Sequence, residues 1–364
     1  MRLTCPTTVE LEVPMKSFIF HCPFACAWLL LLSAIQSTNV LAQGDQPDAI
    51  PPLSYVAPKT VEMLIGVQIT PGDGNVIETS AQTVFPTQWP EQTVEVVEAN
   101  IPATVQYKFR DLPGNNRQLL FFMPLISPGD PVAAHLKVRI EKSHIVGPTE
   151  TSQFVTPRRP NSTIKQFLSP SPYIDSNNAE IKRIVKQIDA SEPPDAWKRV
   201  ELLYDWVRDN IVYNKGELKN VQQALRDRKG DCEEMTSIFV ALCRAARVPA
   251  RCVWVPGHCY PEFYLEDKDG KGHWFPCQVA GTRNFGNMPD YMPILQKGDR
   301  FKVPERNEIQ RYLADFLTSK KVVGKRDPKV VFIRQLLGED GQLPSADADG
   351  LENLQETAPT SGRP

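Results

Sequence analysis

From Thr60 to Lys142 apolar and polar residues alternate in short runs, punctuated by Pro and Gly. Residues 61–69 read as a strand, Pro71-Gly72-Asp73-Gly74 as a turn, and residues 93–97, 103–109, 118–123 and 133–140 as further strands. No helical period is sustained there, so the spacing predicts a β-sandwich over residues 59–148. Residues 149–163 form a polar connection. Within it Asn161-Ser162-Thr163 fits a glycosylation acceptor, a triplet common by chance.

The period then changes. Ile181, Ile184, Val185 and Ile188 mark one helix. Trp197, Val200, Leu203, Tyr204, Val207 and Ile211 mark a second, with Pro194 at its start and Tyr213 at its end. Val221, Ala224 and Leu225 mark a short third. Met235, Ile238, Phe239, Leu242, Cys243 and Ala246 recur as one apolar stripe on a fourth helix, and Cys232 extends it backwards. Asp231 followed by Glu234 has the spacing of a capping box, which makes Asp231 the N-cap and Cys232 the first helical residue.

Residues 250–255 then form a strand that turns through Pro256-Gly257. Two aromatic-rich runs follow, flanking Asp267-Lys268-Asp269-Gly270, a hairpin signal. A turn centred on Lys268 puts Leu265 opposite Lys271, His258 opposite Gln278, and Cys259 opposite Cys277 within bridging range. Residues 285–303 are irregular, 308–317 are predicted helical, and 329–337 are apolar without a clear period.

The two ends differ from the middle. Met15-Lys16 opens a basic stretch, the apolar run over 24–35 is short for a bilayer span, and Val40-Leu41-Ala42 fits a small-residue cleavage site. Residues 1–42 therefore read as a signal peptide region, with Met15 the true start because Glu10 and Glu12 are wrong for a basic leader. Gln43 becomes the mature N-terminus; an uncleaved anchor is the alternative. Residues 43–58 are a Pro-rich linker, and residues 339–364 a polar, Pro/Gly-rich disordered tail.

Among 364 residues the formal net charge is −2, and the mean hydropathy is −0.32. That describes an exported globular protein of two domains, with no nucleic-acid partner and no membrane association once the signal is removed. The mature chain would keep Cys232, Cys243, Cys252, Cys259 and Cys277, an odd number that suits one reactive thiol in an oxidising compartment. A zinc site using His273 would need its ligands on one face, and the chain has no CxxC pair, so neither a metal nor a cofactor is expected.

Cys232 at a helix start sits among free backbone N–H groups, which favour a thiolate. A histidine on an adjacent strand completes the Cys–His arrangement of thiol catalysis; a buried structural thiol is the alternative reading. Gly230-Asp231-Cys232-Glu233-Glu234, the run over 242–251, and His258-Cys259-Tyr260-Pro261-Glu262-Phe263-Tyr264 resemble the transglutaminase-like superfamily. The resemblance covers roughly residues 164–301 and implies a papain-like α+β domain, bounded here at 164–305, behind the sandwich; the chain pattern adds a C-terminal extension with a helix over 306–338. The resemblance implies Cys232 as nucleophile and His258 as base. Trp274-Phe275-Pro276-Cys277-Gln278 puts Gln278 where the family usually has Asp. Tyr213 matches an aromatic position near the family's active site, as an oxyanion donor, a cleft wall or a core residue. The implied activity is acyl transfer from a protein or peptide amide, either to water (protease or amidase) or to an amine (transglutaminase). The rival is a non-catalytic peptide-binding or structural protein, which Gln278 keeps open.

Overall fold

Period-two burial governs the first half of the chain. In β1 (Ser54–Thr70) the side chains of Met63, Ile65, Val67 and Ile69 are fully buried, and in β6 (Val132–Val146) so are those of Ala134, Leu136, Val138 and Ile140. The antiparallel register sets Met63 against Val138, Ile65 against Leu136 and Val67 against Ala134, so core residue meets core residue across the ladder. Between these strands come β2 (Val76–Phe85), β3 (Gln92–Asn100), β4 (Gln106–Leu112) and β5 (Asn116–Ile126). The computed structural model describes residues 52–338, so the expected signal region and the tail lie outside the described residues.

The second half begins with α1 (Ser162–Lys165), α2 (Ala179–Asp189), α3 (Ala196–Asn210), β7 (Val212–Tyr213), α4 (Val221–Asp227), β8 (Lys229–Gly230) and α5 (Cys232–Ala245). It continues with β9 (Ala250–Val255), β10 (His258–Glu266), β11 (Gly272–Gln278), β12 (Asn284–Phe285) and β13 (Gln296–Lys297). Last come β14 (Phe316–Val322) and β15 (Lys329–Leu337). The fold is α+β: two four-stranded antiparallel sheets, ordered β15-β1-β6-β3 and β14-β2-β5-β4, share one apolar core, and helices pack on a five-stranded sheet ordered β12-β11-β10-β9-β13.

The C-terminal segment departs from expectation. Residues 308–317 are not helical. Leu313 is buried in the sandwich core and its N–H donates to Gln296 Oε1 at 2.9 Å, which pins the segment in an irregular path that becomes strand only at Phe316. β14 then pairs with β2, and β15 with β1 from Glu62↔Leu337 to Thr70↔Lys329. Residues 306–338 are thus two strands of the sandwich, not an extension carrying a helix. The sandwich also starts earlier, because β1 opens at Ser54 inside the stretch read as linker.

β2 lacks a clear apolar alternation because buried Thr79, Gln82 and Thr83 interrupt its core residues Val76, Ala81 and Phe85. Thr79 and Thr83 are fully buried; Thr83 Oγ1 donates to Asp315 at 2.6 Å and Thr79 Oγ1 lies 2.9 Å from Ser319 Oγ. Those partners arrive from the far end of the chain, where no local pattern reveals them.

The helices differ in detail. α3 starts after Asp195, whose carboxylate caps Lys198 N at 2.7 Å, so Pro194 precedes the cap. It ends at Asn210, which leaves Tyr213 on β7 rather than on the helix. α5 is buried on nearly every side, including Glu234, Thr236, Ser237 and Arg244. It packs against α2, α3, α4 and β10, and the Arg244 guanidinium is satisfied by Asp299 at 2.7 Å and by the Ala250 carbonyl.

Candidate active site

The site is assembled where α5 begins. Asp231 Oδ1 accepts from Glu233 N at 2.7 Å, and Glu234 Oε2 accepts from Asp231 N at 2.8 Å. Both halves of the capping box are formed, with Cys232 as the first helical residue. Glu234 Oε1 also accepts from Lys219 N at 2.8 Å, tying the loop ahead of α4 to the same turn. A Cβ at Gly230 would come within 2.5 Å of the Glu234 Cβ, so that position requires glycine. The parallel pairing of β7 with β8 then carries the chain directly into Cys232.

β10 is held against this turn. Thr236 Oγ1 donates to the Cys259 carbonyl at 3.2 Å, and the backbone N–H groups of Cys259 and Cys232 stabilise a negative charge on the Cys232 sulfur. His258, the neighbour of Cys259, opens β10 immediately after the Pro256-Gly257 turn and pairs with Val255.

The β10–β11 register differs from the expected one by two residues. Leu265 faces His273, and the pairs run from Glu262↔Pro276 to Glu266↔Gly272. The reason is the turn. Asp267 N donates to the Lys271 carbonyl at 2.9 Å, and Gly270 takes φ +76°, so three residues are looped out with glycine in the left-handed position. Its centre is Asp269 rather than Lys268.

A shift of two preserves the faces of a strand but not the direct pairs. Gln278 therefore reaches His258 diagonally, and its Oε1 lies 2.9 Å from His258 Nε2. Cys277 lies by the Pro261 carbonyl, with its Sγ 3.9 Å from that oxygen, so the expected direct pairing of Cys277 with Cys259 is lost. The five described cysteines are free thiols. Cys259 borders Cys252, and Cys277 borders Cys243.

Two residues of α3 hold Gln278 in place, one of them from the apolar stripe and the other, Arg208, outside it. Tyr204 Oη donates to the Gln278 carbonyl at 2.7 Å, and Arg208 Nη1 donates to the same oxygen at 3.2 Å. Both lie on α3, one turn apart. The Gln278 side-chain oxygen accepts only, so the ring proton sits on Nε2 and the Nδ1 lone pair is left to take a proton.

Cys232 is 9% exposed. Burial pushes its thiol up to about 11, and the Asp231 and Glu233 carboxylates add to the rise, while the two N–H groups only partly oppose it. The thiolate expected from the helix start alone is outweighed by desolvation, and the resting group is a thiol. Tyr213 is half exposed on β7; burial raises its phenol, and charge on Cys232 and Asp231 would raise it further. His273, weighed as a metal ligand, instead lies 2.8 Å from Asp267 Oδ2. Among the described residues no group of three or more His, Cys, Asp or Glu is arranged to hold a metal.

The cap and the thiol are separable. Asp231→Asn keeps an N-cap acceptor but removes a negative charge beside the sulfur. Its expected result is a faster alkylation rate at Cys232 with little change in unfolding midpoint. Asp231→Ala should lose about 1 kcal/mol in denaturant titrations.

Residues 182–279 match the transglutaminase-like superfamily, a span that holds Cys232, His258 and Gln278. No curated protein matches the chain. Among solved structures, a putative cysteine protease from Cytophaga hutchinsonii is similar at 13% identity and a TM-score of 0.49, with 77% of this chain and 99% of that one covered. A putative protease from Parabacteroides distasonis is similar at 11% identity and a TM-score of 0.25, with 65% of this chain and 48% of that one covered.

Proposed function

We propose that this transglutaminase-like domain is a thiol-dependent amide hydrolase acting on protein or peptide substrates outside the cytoplasm. The observation that carries the reading is the arrangement at the start of α5: a capped first-turn cysteine on a helix that Thr236 ties to the Cys259 carbonyl at 3.2 Å, with His258, the residue before Cys259, held by Gln278 at 2.9 Å. Because the resting sulfur is protonated, His258 Nδ1 takes the thiol proton as Cys232 Sγ attacks the amide carbonyl. Backbone N–H groups at the helix start stabilise the oxyanion. The imidazolium then protonates the leaving amine. Water, deprotonated by His258, attacks the thioester and releases the acid and the free thiol. An amine in place of water would make the reaction a transamidation.

Labelling tests the reading. Alkylation of Cys232, followed by peptide mapping, should accelerate about tenfold per pH unit until pH approaches the thiol's own value. A plateau below pH 8 would mean a pre-formed thiolate–imidazolium pair. A second reading, a peptide-binding protein without turnover, is favoured by the raised thiol together with the neutral Gln278. It holds if no amide or peptide is cleaved across a varied panel.

A further inference from the structure

The segment between β13 and β14 places Arg311 beside the site, outside the span that matches the superfamily. Its side chain is 5% exposed. The guanidinium lies over two aromatic rings, 5.0 Å from the Tyr173 ring centre and 5.2 Å from that of Trp254. Trp254 is cross-strand neighbour to Cys259, whose carbonyl accepts from Thr236 on the helix that Cys232 opens, and Tyr312 packs on Trp254 at 5.4 Å. Arg311 Nη2 is 3.1 Å from Oε2 of Glu233, the residue after the nucleophile. Yet Nε, Nη1 and Nη2 all lack a hydrogen-bond acceptor among the described residues. Glu233 supplies charge at the right distance without meeting the N–H vectors.

Buried donors left unmade are costly, and arginine carries five of them. The two rings hold the guanidinium by cation–π attraction without using its N–H groups, and its planar fork is the group suited to a carboxylate gripped through two parallel bonds. Glu233 retains 32% side-chain exposure, so it has solvent to swing into when another carboxylate takes its place. We infer that Arg311 is the specificity-determining residue of the cleft, recognising a substrate carboxylate close to the scissile amide. The inference rests on the hydrolase reading for its substrate but not for its chemistry. The carboxylate is either an acidic side chain or a free chain terminus.

Two alkylating agents of similar size separate the questions. Iodoacetate carries a carboxylate and iodoacetamide does not. The expected result is an iodoacetate-to-iodoacetamide rate ratio at Cys232, read by peptide mapping, that falls about tenfold in Arg311→Met, the worth of one charge-assisted hydrogen bond. Arg311→Lys, which keeps charge but loses the fork, should fall between, and it carries the test if Arg311→Met does not fold. A ratio unchanged in the folded variants overturns the inference, whatever peptides the enzyme cleaves. A ratio that falls while no peptide is cleaved leaves the carboxylate site standing and removes the hydrolase reading. With cleavable peptides, Arg311→Met should raise KM for carboxylate-bearing substrates with little change in kcat. Sensitivity to Glu→Gln exchange in the peptide assigns the side chain, and sensitivity to C-terminal amidation assigns the terminus.

Discussion

Cys232→Ala is expected to lower amide cleavage by about 10⁴-fold or more and to abolish labelling at that position, because the acyl acceptor itself is removed. Gln278 should behave differently. Gln278→Ala removes the acceptor 2.9 Å from His258 Nε2 but leaves the sulfur and the ring. Its expected cost is about 10- to 100-fold in kcat, the range for a hydrogen bond to a group that becomes charged. Gln278→Glu keeps the side-chain length that fits the diagonal approach and exchanges a neutral amide for a carboxylate. With the Cys232 thiol pushed up to about 11, the proposed route has positive charge develop on the ring as the sulfur attacks. A carboxylate stabilises that developing charge more than an amide does. Gln278→Glu should therefore raise kcat, up to about tenfold. Equal, unchanged turnover in wild type and Cys232→Ala would remove the nucleophile assignment. A fall in Gln278→Glu would argue that the pair is already charged at rest.

The second large effect concerns stability. Lys297 Nζ lies 2.7 Å from Glu91 and 2.5 Å from Glu262, and Arg251 Nη2 lies 2.6 Å from Glu262. The Arg251 guanidinium also sits 4.0 Å over the Trp274 ring. The Lys297, Glu91 and Glu262 side chains are each 3% exposed or less. Burial by itself would raise the Glu262 carboxyl, but Arg251 and Lys297 reverse that and hold it below the ordinary carboxylate value. Lys297→Met would take from the buried Glu91 its Lys297 partner and leave Glu262 with Arg251 alone. Breaking such a network costs about 3–5 kcal/mol, or roughly 10 °C in Tm for a chain of this size. Lys198→Ala, which breaks the exposed pair with Glu201, should leave Tm nearly unchanged. Thermal unfolding of the two variants side by side checks this. A small loss in Lys297→Met would mean that water or a carboxyl proton relaxes the cluster. Glu91 comes from the loop before β3, while Glu262 lies four residues beyond His258 on β10, so the cluster fastens the sandwich to the strand that carries the candidate base.

What the sequence determined by itself was local. The Asp231–Glu234 cap, the helix beginning at Cys232, the alternation of β1 and β6, and the hairpin carrying His258 and Gln278 all follow from residues within one turn or one strand of each other, where period and capping chemistry act. Tertiary structure decided whatever depended on distant partners. β2 is a strand because Asp315 and Ser319 satisfy its buried threonines. Residues 308–317 do not coil into a helix because Leu313 is claimed by the sandwich core and by Gln296. The two-residue change in register came from the left-handed Gly270, which selects a three-residue loop, and its even size is why His258 and Gln278 still meet. The protonation of Cys232 was likewise beyond local reading. A helix terminus favours thiolate by an amount legible in sequence, but the opposing desolvation depends on how much chain folds over the sulfur, and only the packed structure fixes that.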